Sequence, residues 1–286
     1  MPSQPVRPPA VAGSWYPGSP QSLAAAVDRH LGGVKAVPRG TVVGVVSPHA
    51  GLMYSGPVAA HAYRAAAGGA YDVAVLVGPS HHVGFDGVAI CARGSFDTPL
   101  GALEIAETDA AAILRHCSVV REFPAAHARE HSLEMQLPFL ARLWPALPIV
   151  PLVMGYQTRA TIRSLADGLG LALAGRRALL VASSDLSHFL DAPAAEDADR
   201  RVIDRIAGFD ADGLMAALER HPEHACGGGP IVAVMRAARA LGAVDAAVLK
   251  YADSGDVSGD KSAVVGYVAA AFGRFEPAAQ AASAES

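Results

Sequence analysis

The chain has 286 residues, 51% hydrophobic and 17% charged, with 27 acidic residues against 23 basic ones and a formal net charge of -4. That composition excludes a disordered chain, which would be poor in apolar residues and rich in net charge. It also leaves no positive excess to neutralise nucleic-acid phosphates, since no run of Lys and Arg exceeds the pairs Arg176-Arg177 and Arg200-Arg201.

The first 18 residues are rich in Pro, Gly and Ser and lack the basic start and apolar segment of a secretory signal. Ser19-Pro20 supplies a cap and a first-turn proline for a helix to about His30, closed by Gly32-Gly33. Short β-branched runs predict strands over Thr41 to Val46, Val73 to Val77, Val88 to Cys91, Ile149 to Val153, Leu179 to Ala182, Ala247 to Tyr251 and Ala263 to Val268. Between them lie stretches of helical length: Val58 to Ala67 after Pro57, Glu107 to Cys117, Leu133 to Leu143, Ala160 to Ala174, Ala195 to Ile206, Gly213 to Arg220 and Ile231 to Leu241. Alternating strands and helices predict an α/β fold whose mainly parallel sheet is covered on both faces. One domain is expected over residues 1–276, with an Ala/Ser-rich frayed tail at 277–286. The longest apolar stretch, Ala263 to Phe272, is shorter than the roughly 18 residues of a membrane span. Three cysteines, an odd number in so long a chain, fit a reducing compartment, so a cytoplasmic address is expected.

Eleven histidines matter through their positions. His49 follows one predicted strand in Ser47-Pro48-His49-Ala50-Gly51, His81 and His82 follow a second in Gly78-Pro79-Ser80-His81-His82, and Asp185 and His188 follow a third in Ser183-Ser184-Asp185-Leu186-Ser187-His188. A lone histidine in a loop is ordinarily a satisfied cap. Three strand ends with the same character argue for convergence, because open α/β sheets bind ligands at the carboxyl ends of their strands. Cys226 precedes Gly227-Gly228-Gly229-Pro230, where a helix start would favour its thiolate. Two imidazoles with one anion, either Cys226 or Asp185, is a donor set for a redox-active metal, and a thiolate turns preference from magnesium and calcium toward iron, copper or zinc. Asp185 and His188, three residues apart, can share one side of a turn, with the carboxylate orienting an imidazole acid/base.

Competing motifs are weaker. His127-Ala128-Arg129-Glu130-His131 matches the H-x-x-E-H pattern of zinc proteases, but it runs into Ser132-Leu133-Glu134-Met135, which reads as a loop and cap. Gly255 to Ser262 lacks the spacing of a phosphate loop, and no nucleophile elbow or dinucleotide fingerprint is present. Cys91 and Cys117 read as small buried hydrophobes, His30, His61, His116, His221 and His224 as structural or solvent-facing, and Trp15-Tyr16 as an N-terminal anchor.

Six blocks in order then resemble the Memo family, also called system protein B of the AmmeMemoRadiSam group. They are Arg7 to Pro17, Ser47 to Gly51, Gly78 to His82, Glu130 to Pro138, Ser183 to His188 and Cys226 to Gly228. The resemblance implies a single-domain αβα sandwich with a mainly parallel or mixed central sheet, related to the class III extradiol dioxygenases, in which two histidines and a glutamate hold iron and a further histidine is the acid/base. Carried over by motif, His49 and His81 are the imidazole ligands, Cys226 stands in the place of the glutamate, and His188 takes the acid/base role. His82, Glu130, His131 and Tyr54 are candidates to line the cleft. A cysteine in the carboxylate's place departs from the dioxygenase pattern and puts ring cleavage in doubt. The implied cofactor is Fe(II) or copper ahead of zinc, and the implied activity is that of an oxidoreductase. The alternatives are a non-enzymatic peptide- or partner-binding module and a zinc-dependent hydrolase. The implied partners are a small-molecule or peptide substrate and, functionally, radical SAM and AMMECR-type proteins, with neither nucleic acid nor membrane among them.

Overall fold

In the computed structural model, which describes residues 5–276, the chain runs β1 (Val6–Arg7), α1 (Pro20–Gly32), β2 (Gly40–Ser47), α2 (Leu52–Ala66), β3 (Val73–Pro79), β4 (Val88–Ile90), β5 (Ser95–Phe96), β6 (Leu103–Glu104), α3 (Glu107–His116), β7 (Val120–Glu122), α4 (Leu137–Leu143), β8 (Ile149–Met154), α5 (Arg159–Ala172), β9 (Ala178–Ser183), β10 (His188–Leu190), α6 (Ala192–Ala207), α7 (Ala211–Arg220), α8 (Gly228–Ala240), β11 (Asp245–Asp253), α9 (Gly255–Ser258) and β12 (Val264–Phe275). The expected tail at 277–286 lies outside the described residues.

Nine strands form one sheet in the order β10-β12-β2-β9-β3-β8-β4-β7, with β11 also paired to β12. Its centre, β2-β9-β3-β8, is parallel, while β12 against β2 and β4 against β8 are antiparallel. The sheet is thus mixed around a parallel core. Every residue of β3, β8 and β9 is buried, as continuous apolar runs covered on both faces must be. The helix α8 packs against β2, β3 and β9, with α5 and α7 beside it, while α2 packs on β2 and β12 with α1 behind it. Among the described residues no helix is long and apolar enough to cross a membrane.

The helix expected from Leu133 is a 3₁₀ turn over Glu134–Gln136 before α4, and two further boundaries differ from expectation for identifiable reasons. Helix α2 starts at Leu52, so Pro57 lies inside it rather than before it. The early start is anchored by the Leu52 N–H donating to the Trp15 carbonyl at 2.8 Å and the Ser55 N–H to the Gly51 carbonyl at 3.1 Å. The carbonyl that Pro57 cannot satisfy belongs to Met53, which is 61% exposed and open to water. Strand β12 continues to Phe275 through Ala269-Ala270-Ala271, a poor strand sequence by propensity, because it is clasped between β11 and β2.

The N-terminal segment is tied down by one buried carboxylate. Glu134 accepts the N–H groups of Ala10 at 2.7 Å and Val11 at 3.0 Å and the Tyr16 hydroxyl at 2.7 Å, and it pairs with the Arg7 guanidinium. Arg7 also donates to the carbonyls of His127 at 3.1 Å and Glu130 at 2.7 Å. Residues 7–16 are thereby strapped across the segment 127–134.

Candidate metal centre

Parallel order places the three titratable strand ends side by side. Ser47 at the end of β2 is in register with Ser183 at the end of β9, and β9 lies between β2 and β3. The loops after these strands therefore open at one edge, bringing His49, His81 and Asp185 together without sequence proximity. Cys226 enters from the connection before α8. That connection lies so close to β9 that a Cβ on Gly227 would stand 2.3 Å from the Ser183 carbonyl oxygen, so only glycine fits there. One ligand atom from each of His49, His81 and Cys226 lies within 4.8 Å of the others.

Both imidazoles are held in a single tautomer. The Ser183 hydroxyl donates its one proton to the Ser132 carbonyl at 2.6 Å and accepts from the Gln136 amide at 2.8 Å. Its remaining contact, to His49 Nδ1 at 2.8 Å, must then be accepted from an Nδ1–H. His81 Nδ1 lies 2.8 Å from Glu130 Oε1, and the His81 backbone N–H donates to Oε2 at 2.6 Å. Burial of Glu130 favours its neutral form, but these bonds and the Ser132 N–H win and hold its carboxyl well below the usual range, so it accepts from His81 Nδ1–H. In the neutral form of either ring the free lone pair is then on Nε2. Burial first, and then the neighbouring His81 and His131, hold His49 well below the ordinary imidazole range, so it is neutral.

The sulfur behaves otherwise. Cys226 Sγ stands 3.3 Å from His49 Nε2 and accepts the Asp185 N–H at 3.3 Å. Burial, reinforced by the Asp185 carboxylate, pushes its thiol up, which overturns the expectation of a ready thiolate at a helix start. The helix begins only at Gly228, two residues on, and desolvation outweighs the hydrogen bonds that the Asp185 and Gly227 backbone and the Ser184 side chain supply. The thiol has two acceptors within reach, His49 Nε2 at 3.3 Å and the Asp185 carbonyl oxygen at 3.6 Å.

Asp185 is not the partner of His188. Its Oδ1 accepts the His49 backbone N–H at 2.7 Å, whereas His188 Nδ1 donates to the Leu186 carbonyl at 2.9 Å. The carboxylate is committed across the sheet edge, so a backbone carbonyl orients His188 instead. Burial pushes Asp185 up to about 7, against the backbone N–H groups of His49 and Ala50. His188 is held below the ordinary range, chiefly by burial. Its neighbour Phe189 sits at φ 62 with its side chain exposed, a conformation costly for an aromatic residue.

His131 stacks on His81 with ring centroids 4.5 Å apart and meets Trp15 at 4.3 Å, so the N-terminal segment forms an outer wall as well as an anchor. His82 is exposed, 6.0 Å from the His131 ring. Tyr54 is half-buried in the first turn of α2. His127 is buried against Phe96 and is likewise outside every group of converging donors, which removes the second histidine that the zinc-protease motif needs. Sequence reasoning missed Ser183, Gln136 and Gln157. The last donates to the Cys226 carbonyl at 2.7 Å and accepts the Gly229 N–H at 2.6 Å, clamping the cysteine's segment from both sides.

The chain matches the Memo-like protein family model over residues 7–271. A MEMO1 family protein of Methanopyrus kandleri is 40% identical over 94% of this chain and 99% of its own, and one of Methanothermobacter thermautotrophicus is 38% identical over 92% and 98%. A structure of an uncharacterized protein from Escherichia coli K12 is similar at a TM-score of 0.45 and 16% identity, covering 70% of this chain and 86% of that one. The whole-length family match and relatives of this identity establish that the chain belongs to the Memo family.

Proposed function

We propose that the chain binds a redox-active first-row metal ion, Fe(II) or copper, through His49, His81 and Cys226, and works as an oxidoreductase on a small-molecule or peptide substrate. The observation that carries this reading is the convergence of two imidazoles of fixed tautomer with a thiol, within 4.8 Å of one another. Donors at about 2.0 Å (nitrogen) and 2.3 Å (sulfur) from one ion lie roughly 3.1–3.6 Å apart, and Cys226 Sγ stands 3.3 Å from His49 Nε2. A hydrogen-bonded second imidazole nitrogen, with a carboxylate behind His81, is the usual support of a ligating histidine. Such an ion, when bound, supplies one-electron chemistry at positions the protein leaves open.

The protein's own groups would do the rest. Asp185 holds the His49 backbone in place. His188, neutral near pH 7 and with Nε2 unoccupied, would take a proton from substrate. His131, stacked on His81 and tilted against Trp15, limits access from the N-terminal side. Anaerobic purification without added metal, followed by elemental analysis, tests the ligand set. Iron or copper near one equivalent should be lost in Cys226→Ser and His49→Ala and kept in His188→Ala. Full occupancy in the first two variants would overturn the reading.

A second reading rests on the recess of about 400 Å³ bordered by Trp15, His82, Arg129 and His131, an aromatic and cationic surface suited to an acidic peptide. Peptide binding that survives Cys226→Ser would favour that reading.

A further inference from the structure

The connection between α7 and α8 carries a second group of donors that the centre above does not use. In His221-Pro222-Glu223-His224 the segment Pro222–His224 forms a 3₁₀ turn, in which side chains three residues apart eclipse. The two imidazoles accordingly stack, with centroids 4.8 Å apart and planes at 7°. One carboxylate oxygen serves both: Glu223 Oε1 lies 3.1 Å from His221 Nδ1 and 3.6 Å from His224 Nε2. The three donors all lie within 4.8 Å of one another.

A hydrogen bond accounts for the first contact and not for the second, which is too long to be one. Donors held at about 2.0–2.2 Å from a common ion are separated by roughly 2.9–3.6 Å, and the two contacts to Glu223 match that spacing. The side chains of His221 and Glu223 are 52% and 65% exposed, so an ion could enter from solvent and keep water in its remaining positions, while His224, at 14%, is fixed against the protein. We propose that His221, Glu223 and His224 form a second, solvent-facing site for a borderline divalent ion such as Zn(II), independent of the His49-His81-Cys226 centre. Two imidazoles and one carboxylate suit zinc, Cu(II) or Ni(II) and not magnesium or calcium. Arg201, Arg205 and Arg220 border the adjoining recess, so binding is weaker here than at a buried centre. An ion in this position would tie the turn that leads into Cys226.

Calorimetric titration of Zn(II) into the full chain tests the assignment. The wild type should take up two equivalents, the His221→Ala/His224→Ala variant one, and the His49→Ala/Cys226→Ser variant one. The first pair of residues lies at or near the surface, and circular dichroism verifies that the variant keeps its fold. Zinc uptake by the His221→Ala/His224→Ala variant equal to the wild type's would overturn the second site. A single equivalent lost only in that variant would support the second site while removing the first, so the two assignments fail separately. Calcium in excess should displace none of the zinc.

Discussion

The two sides of the candidate centre are prepared to different degrees. On the imidazole side, His49 and His81 rise from the ends of parallel strands, and each has its Nδ1 proton committed, to Ser183 and to Glu130. On the thiol side, Cys226 hangs from a connection held by Gln157 and Gly227, and its proton must leave before sulfur can ligate. The comparison teaches that the rigid half supplies geometry at little reorganisation cost, while the protonated half makes affinity depend on pH and on the ion's ability to displace a proton. An ion that bonds strongly to sulfur overcomes that cost and a hard one does not.

The sharpest way to break the comparison is to unfix an imidazole. Ser183→Ala strands the Nδ1–H of His49 and the Ser132 carbonyl in the interior and leaves the Gln136 amide nitrogen with its bond to the Pro48 carbonyl alone. Metal affinity should fall about 10- to 100-fold, the usual consequence of losing a partner behind a ligand. Stability should fall by roughly 1–3 kcal/mol. A competition titration with a chromophoric chelator reads the first and urea unfolding the second. Unchanged affinity would show that the tautomer lock is incidental.

The thiol side should answer to pH. Because ligation releases the Cys226 proton and that thiol is held above its ordinary range, affinity should rise about tenfold per pH unit through neutrality. A flat profile between pH 6 and 8 would mean that the sulfur is not a ligand or is already ionised. Cys226→Ser should flatten the profile as well as weaken binding.

How much of this was legible beforehand divides along the same line. Strand ends could be read because the buried runs of β2, β3 and β9 are continuous and apolar, and the histidines follow them directly. The parallel core followed from alternation, but the antiparallel additions did not. β10 is three residues long, and β12 is held in place by its pairings with β10, β11 and β2. The strands β1, β5 and β6, two residues each, carry no periodicity to detect. Glu134 and Ser183 stood inside recognisable blocks, yet their importance lies in partners more than 50 residues away: Arg7 for the glutamate, and Ser132 and His49 for the serine. Sequence spacing pairs Asp185 with His188, whereas the sheet edge gives it to His49. Local spacing cannot reveal which of two nearby groups a tertiary contact will claim.

A smaller effect should follow from loosening the cysteine's clamp. Gln157→Ala removes two hydrogen bonds from the backbone around Cys226 and none from either imidazole. With each of the two bonds worth about 1 kcal/mol, alkylation of Cys226 by iodoacetamide should quicken by about 30-fold in protein stripped of metal. Labelling of Cys91 and Cys117, whose surroundings Gln157 does not touch, should be the same in variant and wild type. Mass spectrometry of labelled peptides distinguishes the sites, and equal rates for wild type and variant would show that Gln157 does not restrain the thiol.

The smallest effect concerns the group between the two sides. Asp185 has its acid form favoured by folding, with the carboxyl raised from 3.8 to about 7. Its contribution to stability is therefore full below about pH 4 and is lost as pH rises through about 7, so at pH 8 the buried charge is a cost of at most roughly 4 kcal/mol. His49 and His131 run the other way. Their imidazoles are depressed from 6.5, His131 to about 4, so what they contribute is present above pH 6.5 and lost as pH falls toward 4. Asp185→Asn keeps an oxygen to accept the His49 N–H and removes the charge, while its new amide group asks for partners of its own. The variant should be more stable than wild type by about 1–2 kcal/mol at pH 8 and indistinguishable from it near pH 4, where Asp185 is already neutral. Both proteins should still weaken together between pH 6.5 and 4 as the histidines take up protons. Because the histidines are common to both, the difference between the two stability curves isolates Asp185. A difference that does not change with pH would mean that the carboxyl is ionised at no cost, and that the backbone N–H groups of His49 and Ala50 outweigh its burial.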